Sequence, residues 1–172
     1  MRSKIALPWL TLSLWVLLVG CNNLSVQVTK AVPEERALRS EILDLRNCAS
    51  NEDLRSNLAT EVPIKLKITL AEDATSKTTG KTIVIPNEVK SNLISQIELT
   101  YQQAYDEALS NAERIELNVP AHKIHMYDIK WKGQDFSSTV SFFMDDQACI
   151  ASYTYMLEIP ELDGFRTMAC TA

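Results

Sequence analysis

Hydrophobic positions along the chain recur at two spacings. Over residues 62–70, Ile64, Leu66, Ile68 and Leu70 alternate with Lys65, Lys67 and Thr69, the period of a half-buried strand. From 87 to 112 the spacing changes: Val89, Leu93, Ile97, Tyr101, Ala104 and Ala108 recur every three or four positions with no glycine or proline between them. This predicts a helix about 40 Å long, capped by Asn87, with one buried stripe. Residues 37–48 carry both spacings and are read as a strand ending near Cys48. Ile115, Leu117 and Val119 alternate up to Pro120 as a further strand, and the polar stretch 71–82 reads as a loop.

The C-terminal half can be placed in register. Strands are expected over about 124–132, 136–144 and 148–159. An Asp145-Asp146 turn sets Phe142 opposite Cys149 and Val140 opposite Ala151. A four-residue turn at 132–135 would then bring Tyr127, Ile129, Trp131, Phe136, Val140, Phe142, Tyr153, Tyr155 and Leu157 onto one face. The other face holds hydroxyls: Ser137, Thr139 and Ser141 on one strand, Ser152 and Thr154 on the next, with Ser137 paired to Thr154 and Thr139 to Ser152. Such pairs stabilise a solvated sheet modestly, and that structural role is the simplest reading. The functional reading is a flat, uncharged docking face for another envelope protein or a glycan. Together the elements predict an α+β fold, an antiparallel sheet of about five or six strands with one long helix packed on one face.

The N-terminus has a different pattern. Arg2 and Lys4 precede an uncharged apolar run that ends in Leu18-Val19-Gly20-Cys21. A spanning helix needs roughly 20 apolar residues, whereas this run is shorter and holds Pro8, Thr11 and Ser13. The segment resembles the signal peptide of bacterial lipoproteins. That resemblance implies cleavage after Gly20, lipid on the Cys21 sulfur, and attachment to a membrane in the bacterial cell envelope, facing away from the cytoplasm. Asn22 would favour outer-membrane sorting in enteric-type bacteria. The alternative is an uncleaved signal-anchor with Cys21 an ordinary thiol. The implied organisation is a cleaved signal over 1–20, a lipidated N-terminus and flexible tether over 21–35, and a single globular domain over 36–172.

Charge and cysteine content narrow the partners. Loss of Arg2 and Lys4 with the signal takes the formal charge from −5 to −7. An acidic domain is repelled by phosphate backbones, so nucleic acid is not an expected partner, and the membrane is reached through lipid on Cys21. Of the four cysteines, Cys21 is taken by the lipid. Cys48 and Cys170 fall at element ends and are the favoured disulfide, while Cys149 lies within a strand facing the core. Three free, buried thiols are the alternative.

Catalytic chemistry has little to build on, and no cofactor or metal is expected. Gly80-Lys81-Thr82 looks like part of a phosphate loop, but the required earlier glycine is Thr75 and a strand-like Ile83-Val84-Ile85 follows. His122 and His125 sit three apart on an extended segment, which does not converge two rings on one metal. Asp145 and Asp146 are better turn formers than an acid/base pair. The leading expectation is a non-enzymatic binding or scaffolding lipoprotein. The alternative is an extracytoplasmic carrier whose pocket, between helix and sheet, is lined by Tyr101, Tyr127, Trp131 and Tyr153; an extracytoplasmic hydrolase ranks third.

Overall fold

A computed structural model describes residues 25–170; Cys21 and the signal-like segment lie outside them. In chain order the elements are β1 (Gln27–Val28), β2 (Glu34–Asn47), β3 (Leu54–Asn57), α1 (Leu58–Glu61), β4 (Lys65–Leu70), β5 (Asp73–Ser76) and β6 (Thr82–Val84). They continue with α2 (Asn87–Glu113), β7 (Glu116–Val119), β8 (Lys123–Met144) and β9 (Gln147–Ala169). Among the described residues strand outweighs helix, 56% to 21%, and they form a curled antiparallel sheet with one long and one short helix. The expected α+β balance is therefore corrected towards β, because two strands are far longer than the pattern indicated.

Those two strands are the backbone of the molecule. β8 and β9 form a 22- and 23-residue hairpin ribbon closed by Asp145 and Asp146. Both turn residues have positive φ, 48° and 59°, as a two-residue hairpin turn requires. The register from this turn is the expected one: Phe142 faces Cys149, Val140 faces Ala151 and Thr139 faces Ser152. At about 3.3 Å per residue, β8 has a contour of about 70 Å. β1 and β2 pair with β8 on one side, while β4 and β5 pair with β9 on the other. β6 extends the sheet beyond β5, and β3 with β7 makes a separate two-stranded sheet.

The turn expected at 132–135 does not exist. Lys132, Gly133, Gln134 and Asp135 continue the ladder against Ile159, Glu158, Leu157 and Met156. On their other side they pair with Ala37, Arg36, Glu35 and Glu34. A polar, glycine-containing stretch reads as a turn in isolation, but here it is an inner strand with a ladder on each side. Arg36 lies 3.0 Å from the Asp135 carboxylate. β2 bulges at Leu38, whose side chain fills the space over Gly133; a Cβ on that glycine would lie 3.2 Å from Leu38 Cδ2.

An unbroken strand cannot hold both Trp131 and Phe136 on one face, because side chains alternate. Burial switches from odd positions, His125 to Gly133, to even ones, Phe136 to Phe142. The expected single apolar face is thus two cores on opposite faces of one ribbon. Near the turn, α2 lays Leu93, Ile97, Tyr101 and Ala108 on Phe136, Val140, Phe142, Tyr153, Tyr155 and Leu157. At the far end, Leu58, Val62, Leu117 and Val119 cover Tyr127, Ile129 and Trp131. The helical stripe is as the spacing predicts, although Pro86, not Asn87, is the N-cap, and it makes no side-chain cap bond.

Two further expectations change. The stretch 71–82 is not all loop, since β5 pairs with β9 through Thr75–Ile150 and Ser76–Cys149. The tether expected over 21–35 is structured in its second half: Val28 pairs with Val140, the Thr29 amide donates to the Thr139 carbonyl at 3.0 Å, and β2 begins at Glu34. Val26, Val28 and Ala31 pack against the helix-side core, which explains why this polar segment stays on the sheet. At the far end, Cys48 follows β2 and Cys170 follows β9, and a disulfide joins them with a Cα–Cα distance of 5.7 Å. It closes over the start of β8, the strand that separates them. Cys149 is free and buried.

Candidate functional site

The hydroxyl face of the ribbon lies opposite the face that α2 covers. Ser137 and Ser152 are exposed, and Thr139, Ser141 and Thr154 are half-buried. The hairpin register brings all five together: Ser137 lies across from Thr154, Thr139 across from Ser152, and Ser141 across from Ile150. Ser137 Oγ and Thr154 Oγ1 approach to 3.4 Å, close enough for mutual positioning while leaving other lone pairs and a proton for a ligand.

Neighbouring strands widen the face beyond what the sequence indicated. Thr69 pairs with Thr154, giving a row Thr69–Thr154–Ser137. A second row runs Thr82–Thr75–Ile150–Ser141 across β6, β5, β9 and β8. Thr69, Thr75 and Thr82 are exposed. Thr69 was visible in the alternation of 62–70, whereas Thr75 and Thr82 were hidden by reading 71–82 as a loop. Lys77 donates to Ser141 Oγ at 2.9 Å and sits exposed at the rim. The result is an extended, hydroxyl-rich surface, with Lys77 at its rim, that can donate and accept hydrogen bonds.

The other sequence candidates are scattered. His122 occupies a turn with φ 60° and reaches Asn51 Oδ1 at 3.2 Å. His125 is buried in the far-end core, with Nδ1 3.2 Å from the Tyr127 hydroxyl. That hydroxyl donates to the Asn118 carbonyl at 2.9 Å, so it accepts from His125 and places the proton on Nδ1. Gly80 has φ 68° in the turn between β5 and β6, and Thr82 starts a strand, so the phosphate-loop likeness has no helix behind it.

The proposed carrier lining is divided. Tyr101 and Tyr153 belong to the helix-side core, Tyr127 and Trp131 to the other. Tyr101 and Tyr153 fill their space with a 2.7 Å hydroxyl contact. Tyr153 donates to the Thr29 carbonyl at 2.7 Å, and the Ala31 amide donates to Tyr101 at 3.2 Å. The bonds form one directed chain, Ala31 N–H to Tyr101 to Tyr153 to Thr29, which clamps the N-terminal segment to the core. Larger recesses lie elsewhere: one of 520 Å³ is walled by Arg55, Ser56, Asn57, Glu113, Glu116 and Asn118. Its walls, which also include Leu117, are mostly polar and lack aromatic side chains, unlike an apolar carrier pocket.

Burial raises two phenols of this core, Tyr153 and Tyr155. Tyr155 is pushed from 10.0 up to about 12, by desolvation first and then by Glu98, Tyr105, Asp106 and Tyr101. Tyr153 is also raised, by desolvation and then by its bond to Tyr101. The unfolded chain therefore releases these protons more readily than the folded one. Stability is expected to be unaffected by these groups below pH 10 and to fall between pH 10 and about 12. Denaturant midpoints across that window check this, and a constant midpoint would contradict it.

Among the described residues, no helix is long and apolar enough to cross a membrane. Comparisons of the chain with protein-family models, curated proteins and solved structures find no match.

Proposed function

We propose that this protein is a lipoprotein of the bacterial cell envelope, held to the membrane by lipid on Cys21, and that its hydroxyl face docks another envelope protein. The carrying observation is the continuity of that face. Hydroxyls from β4, β5, β6, β8 and β9 fall into register on one side of the sheet. A ribbon presenting short hydroxyl side chains gives a partner many hydrogen bonds with little side-chain entropy to lose. The Cys48–Cys170 disulfide supports an oxidising, non-cytoplasmic compartment. The contact between Tyr101 and Tyr153 argues against the carrier, since it occupies the space a ligand would need.

Charge introduced into the face tests the reading. In native envelopes, crosslinking through the wild-type face is expected to capture a discrete protein partner. Thr139→Glu combined with Ser152→Glu should abolish that capture by burying two unpaired carboxylates in the contact. Undiminished capture by the folded double variant would sink the proposal, and capture of glycan in place of protein would reassign the partner.

A further inference from the structure

We infer that the protein stands on the membrane in one orientation, with the Asp145-Asp146 end of the ribbon against the bilayer and the disulfide end pointing away. The inference rests on the lipid attachment of Cys21 proposed above and adds the direction in which the domain is held. β1 supplies that direction. It runs antiparallel to β8, with Gln27 opposite Ser141 and Val28 opposite Val140. Followed backwards from Gln27, the chain leaves β8 on the side of Phe142, Phe143 and the turn. The exit is fixed by more than two paired residues, because Thr29 is bonded to both Thr139 and Tyr153 and Ala31 to Tyr101.

Chain length then decides which end the lipid can reach. Only residues 22–26 separate Cys21 from Gln27, and six Cα steps span at most about 20 Å. The Asp145-Asp146 turn lies four residues from Ser141 along β8, about 13 Å. Lys123, beside the disulfide, lies eighteen residues away, about 60 Å of strand. The turn is within the tether's reach and the far end is well outside it. The short lead also means that lipid insertion pulls the ribbon end, not a remote linker, onto the headgroups.

The chemistry of that end fits an interfacial contact. Phe143 is 51% exposed although it lies in a strand. Lys77 beside it donates to Ser141, and Lys81 follows in the adjoining hairpin. An exposed ring with lysines whose stems are apolar is suited to the headgroup boundary. Asp145 and Asp146 offset the lysine charge, so the bilayer is held by the lipid and the ring, without demand for anionic headgroups. The hydroxyl face then rises along one flank from the membrane surface, open to partners on the same membrane.

Depth-dependent quenching tests the orientation in the full chain. Once residues 1–20 are removed, Trp131 is the remaining tryptophan, buried and common to every variant. Phe143→Trp adds a reporter near the turn, and Met168→Trp adds one at an equally exposed site near the disulfide. Each acylated protein is placed in phosphatidylcholine vesicles with brominated acyl chains. The emission added by Phe143→Trp is expected to be lost, and that added by Met168→Trp to persist. With Cys21 acylation confirmed by mass spectrometry, persistence at position 143 or loss at position 168 overturns the orientation. Absence of lipid on Cys21 is a separate result that removes the anchor and the orientation together.

Discussion

Reduction of the Cys48–Cys170 bridge, or replacement of both cysteines by alanine, is expected to lower the unfolding free energy by about 4–5 kcal/mol. The bridge joins residues 122 apart, and a closed loop of that length removes much of the freedom of the unfolded chain. For a domain of this size the melting midpoint should fall by roughly 10–20 °C. Its position strengthens the expectation. Cys48 and Cys170 end the two strands that flank β8, where Asn47 and Ala169 both pair with Lys123. Without the bridge, three strand ends are free to fray at once. Cys149 should not substitute for either partner, because it is buried at the opposite end of the ribbon. Its thiol is pushed up by burial and by Asp145, which disfavours the thiolate needed for exchange. Thermal melts with and without reductant measure the effect, and equal midpoints would show that the bridge does not constrain the unfolded state.

The legible parts of this fold were those fixed by local chemistry. The α2 stripe follows from helical spacing, and the turn-proximal register follows from two aspartates able to take positive φ. That register assembled Ser137, Thr139, Ser141, Ser152 and Thr154 on one face. What escaped was decided by partners distant in sequence. Residues 132–135 look like a turn until Glu34, Glu35, Arg36 and Ala37 pair with them, and Gly133 looks like a breaker until Leu38 packs over it. The same hidden continuity concealed the second core. A turn would have reset the alternation after Trp131, whereas an unbroken strand carries Trp131 and Phe136 to opposite faces. β1 was equally hard to see, since its two residues pair with Ser141 and Val140, and Thr29 and Ala31 just after it are held by Tyr153 and Tyr101, all far along the chain. Thr75 and Thr82 were missed for a related reason: strands of three or four residues have too few alternating positions to stand out from a loop.

Trp131→Ala is the companion experiment for the far-end core, with an expected cost of about 3–5 kcal/mol. The side chain is 2% exposed and packs in the cluster formed by Leu58, Val62, Leu117, Val119, Tyr127 and Ile129. Arg39 lies 4.3 Å and Lys65 4.6 Å from its ring, so truncation also removes the face on which two cations rest. Arg39 retains its 2.8 Å bond to Glu158, which limits the electrostatic part of the loss and leaves the cavity as the main cause. Because the two cores occupy opposite faces of the ribbon, the damage should be uneven. Amide protection is expected to fall most at Leu117 and Val119 and least at Phe142 and Leu157. Uniform loss would show that the cores open as one unit. Trp131→Phe separates packing from polarity: the indole Nε1 has no hydrogen-bond partner among the described residues, so phenylalanine removes an unsatisfied donor while keeping most of the ring. Its cost should therefore be well below that of alanine, and equal costs would mean that the indole's full width, not its burial alone, holds β3, β7 and α1 against the ribbon.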